Sequence, residues 1–90
     1  MSEIGRLALD IPALLIGRPV PFTTGVVIQD AVLLPQDEDV VIVRVRFANG
    51  GRSPGTFEFE LDGGWGFDTA QDAVDQLYID LVEHLDTGGR

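Results

Sequence analysis

Ninety residues, 44% of them hydrophobic and 23% charged, fit one domain with one modest core and exclude both a second domain and a disordered chain. Six arginines, no lysine and fifteen carboxylates leave a formal charge of −9, which repels phosphate backbones and anionic lipid and so argues against direct binding of nucleic acid or a membrane. The absence of cysteine excludes disulfides, thiolate nucleophiles and cysteine-based metal sites. With no signal-peptide pattern and no run near the roughly 18 apolar residues that span a bilayer, a cytoplasmic protein, free or in an assembled particle, is expected.

Residues 1–22 suit an N-terminal strand or arm. Leu7, Leu9 and Ile11 alternate with Ala8 and Asp10 as in a short half-buried strand, which Pro12 interrupts. The apolar tetrad Ala13-Leu14-Leu15-Ile16 fits either one helical turn capped by Asp10 or an extended arm running into Pro19-Val20-Pro21.

Three strands follow. Thr24 to Leu34 is rich in β-branched residues and ends in the polar turn Pro35-Gln36-Asp37-Glu38-Asp39. Val40 to Phe47 places Val43, Val45 and Phe47 on one face and Arg44 and Arg46 on the other, and Phe57-Glu58-Phe59-Glu60-Leu61 alternates in the same way beyond the turn cluster 49–55. A hairpin centred near Arg52 would set Phe47 against Phe57, Val45 against Phe59, Val43 against Leu61, Arg46 against Glu58 and Arg44 against Glu60. A slip by one residue would bury the charges, so the parity of the pairing is well specified.

From Asp68 to Thr87 the periodicity changes to that of a helix. Asp68 and Gln71 have the spacing of a capping box, and Gly88 suits the stop. Ala70, Ala73, Val74, Leu77, Tyr78, Leu81 and Leu85 fall within one arc of about 140° and form the core stripe. The expected fold is therefore α+β: an antiparallel sheet of three to four strands followed by one C-terminal amphipathic helix packed on one face.

No constellation for chemistry stands out. His84 is the single histidine and has no nucleophile or orienting partner at motif spacing, and the seven Ser and Thr hydroxyls lie in turns, caps or strand ends. Gly63-Gly64-Trp65-Gly66 lacks the spacing of a dinucleotide loop and the Lys-Ser/Thr ending of a Walker loop. The groups Asp37, Glu38, Asp39 and Asp62, Asp68, Asp72 lack the pattern of a calcium loop. Neither an enzyme, a cofactor, a metal nor a small-molecule substrate is expected.

The arrangement points instead to association, because one helix covers only one side of such a sheet. The odd-numbered residues Val27, Ala31, Leu33, Val41, Val43, Val45, Phe47, Phe57, Phe59 and Leu61 suit the covered side. The even-numbered Val26, Ile28, Val32, Leu34, Val40 and Ile42 leave half of the other side apolar, a larger patch than monomers usually expose. Either the arm carrying Leu14, Leu15 and Ile16 covers it, or another copy or protein does. Trp65 is a candidate anchor on a loop tip, and Asp75, Asp80 and Glu83 with the isolated Ile79 form an acidic outer helix face suited to a basic partner. The leading expectation is a protein-interaction or assembly module, such as a phage capsid or tail accessory protein. The alternative is a small acidic inhibitor or antitoxin-like protein.

Overall fold

The computed structural model describes residues 3–50, 52–63 and 68–86. The first segment is helical rather than extended: α1 spans Glu3–Leu9 and α2 spans Ile11–Leu15. Ile4, Ala8, Ile11 and Leu15 recur at steps of three and four, and all are buried in the core. The alternation of Leu7, Leu9 and Ile11 is incidental, since Leu9 turns to solvent. Pro12 sits in the first turn of α2, where its missing N–H costs nothing, and Asp10 holds the cap position without a side-chain bond.

Strands β1 (Val26–Asp37), β2 (Val40–Asn49) and β3 (Arg52–Asp62) form an antiparallel sheet in the order β1-β2-β3, and α3 (Ala70–Asp86) packs on it. The α+β architecture is thus a sheet followed by a C-terminal helix, with two short helices ahead of it. Helix α3 begins one residue later than the capping box suggests. Thr69 supplies the cap, its Oγ1 accepting from the Asp72 N–H at 3.2 Å. The predicted stripe is the buried one: Ala73, Val74, Leu77 and Leu81 are in the core, with Ala70, Tyr78, Val82 and Leu85 packed against it.

The β2–β3 hairpin keeps the expected parity but slips by two residues. Val45 faces Phe57, Val43 faces Phe59, Val41 faces Leu61 and Arg44 faces Glu58, while Arg46 stands opposite Thr56. The turn and a bulge decide this together: Asn49 pairs with Arg52, which leaves two residues to reverse the chain, and the register shift between Phe47 and Asn49 restores the parity. The slip also sets Phe47 over Gly55, where a Cβ would lie 2.5 Å from the phenyl Cζ. Arg44 Nη2 and Glu58 Oε2 form an ion pair at 2.8 Å with both side chains about half exposed, a geometry that contributes less than about 1 kcal/mol.

Strand β1 carries a bulge between Ile28 and Asp30. The extra residue, Gln29, inverts the side-chain alternation, so Val26 and Ile28 share the core face with Ala31 and Leu33, while Val27 takes the opposite face. Gly17 to Val20 runs beside the start of β1. Val20 N–H donates to Val26 O at 2.9 Å, Ile28 N–H to Arg18 O at 3.0 Å and Gly17 N–H to Ile28 O at 2.8 Å. One core therefore lies on one face of the sheet, shared by all three helices.

Candidate interaction surface

The two registers place the uncovered face in rows across the strands: Asp30, Arg46, Thr56; then Val32, Arg44, Glu58; then Leu34, Ile42, Glu60; then Asp37, Val40, Asp62. Val32, Leu34, Val40 and Ile42 thus form one apolar corner at the β1–β2 turn. Val32 is 45% exposed and the other three are half-buried. Arginines border the corner on one side and the carboxylates of β3 on another.

Among the residues expected on this surface, the structure brings together Val32, Leu34, Val40 and Ile42. It removes Val26 and Ile28, which the bulge turns into the core at 4% and 0% exposure. The arm does not fold over the bare face either. It lies on the helical side, where Leu15 is fully buried and Leu14 packs against the core, while Ile16 is 45% exposed. Burial makes Leu15 unavailable to a partner, because helical spacing points it between α3 and the sheet. Trp65 and the expected stop at Gly88 lie outside the described residues.

On α3, Asp75 and Glu83 are exposed, Asp80 is half-buried and Ile79 is 50% exposed. Amide side chains hold two of these acids: Gln71 Nε2 donates to Asp75 Oδ1 and Gln76 Nε2 to Asp80 Oδ1, both at 2.9 Å. Such i,i+4 contacts fix the carboxylates without neutralising them. Burial raises the Tyr78 phenol above its ordinary value, Arg18 opposes the rise and Asp75 adds to it. A raised folded value leaves stability intact below the unfolded pKa and removes it as pH climbs through the folded one. Stability should therefore fall above pH 10.0, and Tyr78→Phe should flatten that alkaline limb in denaturant titrations at several pH values.

Two further features escaped the sequence. A groove of about 500 Å³ runs between α1 and the end of β1, walled by Gly5, Ala8, Leu9, Leu33, Pro35 and Val41, with Asp37 and Glu38 on its rim. At the other end of the molecule, Phe22 is 95% exposed and holds φ at +63°. That left-handed conformation costs a bulky L-residue about 1–2 kcal/mol, and a side chain in solvent returns none of it. Thr23 Oγ1, donating to Val20 O at 2.6 Å, pins the turn, and Gly25 N-terminal to β1 accepts from Gly50 N–H at 3.0 Å. Gly25 itself has φ +79°, and a Cβ there would meet the Gly50 Cα at 3.3 Å. Pro21 is the single local signal for this turn; nothing in the sequence marks a phenylalanine for the position after it. Phe22→Gly should leave stability unchanged or raise it by about 1 kcal/mol, measured by urea unfolding.

Among the described residues, no three His, Asp or Glu side chains are gathered to hold a metal ion, and no helix is long and apolar enough to cross a membrane. Set against protein-family models, curated proteins and solved structures, the chain matches none of them.

Proposed function

We propose that the chain is a non-enzymatic interaction module that builds into a larger assembly through the bare face of its sheet. The observation that carries this reading is the position of the helices. All three pack on one face, leaving Val32, Leu34, Val40 and Ile42 together on the other. Contiguous apolar surface rimmed by charge is the pattern of a protein contact. A structural component of a particle, such as a phage capsid or tail accessory protein, is the concrete form of it.

A second reading rests on α3, where Ile79 stands exposed among Asp75, Asp80 and Glu83: an acidic inhibitor or antitoxin-like protein gripping a basic partner. The two differ in what they tolerate. Sedimentation over a range of concentrations should give masses above 9.8 kDa for the wild type and lower masses at each concentration for Val32→Lys with Ile42→Lys. A strict monomer that binds no apolar dye would exclude self-assembly through this face. Under the second reading, amides at Asp75, Asp80 and Glu83 should abolish salt-sensitive capture of a basic partner, and unchanged capture would refute it.

A further inference from the structure

The exposed Phe22 and the α1–β1 groove are complementary features at opposite ends of one molecule, and we propose that they join copies of this chain head to tail. Phe22 of one copy inserts into the groove of the next. The placement follows from the ladder. Phe22 lies just before β1 starts, in a turn tied through Gly25 to the β2–β3 turn at Gly50. The groove lies near the other end of β1, beside the β1–β2 turn, at Leu33, Pro35, Asp37 and Glu38. Val26 to Pro35 spans nine steps, or about 30 Å at the rise of a strand, in a molecule 39 Å long.

No copy can therefore fill its own groove, and the contact joins two different surfaces, as a head-to-tail assembly requires. Each part also has an energetic oddity that the contact resolves. Phe22 holds a left-handed backbone while its side chain stands 95% exposed, and strained positions of this kind cluster at functional sites. The groove leaves Leu9 58% exposed beside the exposed Pro35, with the buried Ala8 and Val41 as its floor. A phenylalanine side chain buries about 150–250 Å² on insertion, and about 500 Å³ accommodates it.

Charge supports the same direction. Asp37 and Glu38 line the groove, and the segment 11–29 that carries Phe22 contains one cation, Arg18, and no carboxylate, so the incoming segment does not repel that rim. A basic peptide from another protein would meet the rim but would leave Phe22 unexplained, and a twofold dimer, pairing both knobs with both grooves, would stop at two copies instead of growing.

The proposal concerns surfaces other than the bare sheet face, and shares with the reading above only the premise that the chain associates. Its test uses two variants of the full chain, both made on a Val32→Lys, Ile42→Lys parent so that the bare face takes no part. Phe22→Ala removes the knob and keeps the groove; Leu9→Glu with Pro35→Glu spoils the groove and keeps the knob, at two exposed positions where the fold is insensitive. Circular dichroism and thermal melts confirm that both fold. The Val32→Lys, Ile42→Lys parent should sediment as a growing series of oligomers, each variant alone should stay at the monomer mass of 9.8 kDa, and the two mixed should form a 1:1 complex of twice that mass and nothing larger. Growth of the mixed complex beyond a dimer, a mixture that stays monomeric, or Phe22→Ala that assembles like the parent would overturn it. The bare-face reading is tested by comparing the parent with the wild type, so its failure and the failure of this contact are read from different comparisons.

Discussion

Truncating Leu15 to alanine is expected to lower the free energy of unfolding by about 2–5 kcal/mol. Leu15 is fully buried where α2 meets α3 and β1, so the loss combines the transfer term of three carbon atoms with a cavity that rigid neighbours close only in part. A domain of this size has on the order of 5–9 kcal/mol in total, and the variant should be partly unfolded at moderate temperature. Ile16→Ala, one residue on but exposed, should cost under about 1 kcal/mol. Urea unfolding monitored by far-ultraviolet circular dichroism separates the two. Equal, small effects would mean that the N-terminal segment is an arm lying outside the core.

The second large effect is expected at Gly55. Phe47 is 4% exposed and its ring lies across the glycine, so a methyl group placed 2.5 Å from Cζ has to displace a packed ring rather than a free chain end. Overpacking of this kind costs about 1–3 kcal/mol. The penalty should depend on its cause: with Phe47→Leu already in place, adding Gly55→Ala should cost far less. A double-mutant cycle measures that coupling directly, and simple additivity would show that the glycine matters for its backbone and not for the ring above it.

These two positions also show which parts of the architecture the sequence carries and which it does not. The stripe of α3 is legible because a 3.6-residue period over seventeen residues has no competing pattern. The parity of the β2–β3 hairpin is legible for a similar reason, since Arg44, Arg46, Glu58 and Glu60 cannot face the core. Registers differing by two residues, however, preserve that alternation, and the turn at Asn49 and Arg52 together with the bulge beside it chooses between them. Gly55 looks like a loop residue until that choice is made. The N-terminal helices hide behind a coincidence: Leu7, Leu9 and Ile11 alternate, while Ile4, Ala8, Ile11 and Leu15 carry the helical period that packing selects.

The candidate surface was legible in the same partial way. A single unpaired residue, Gln29, decides whether Val26 and Ile28 lie on the bare face or in the core, and a bulge is settled by what the strand packs against rather than by its own residues. Val32 and Leu34, beyond the bulge on β1, and Val40 and Ile42 on β2 keep the side that alternation assigns them. Phe22 and the groove could not be foreseen, because one depends on a backbone dihedral and the other on how far α1 stands from β1.

The bare face remains the centre of the account, and solvent paramagnetic relaxation of methyl groups tests it most directly. Spectra recorded with a soluble probe in dilute and in concentrated solution should show Val32, Leu34, Val40 and Ile42 relaxed strongly when dilute and shielded when concentrated, with Ile79 accessible in both. Shielding of Ile79 while those four methyl sets stay accessible at every concentration would contradict it.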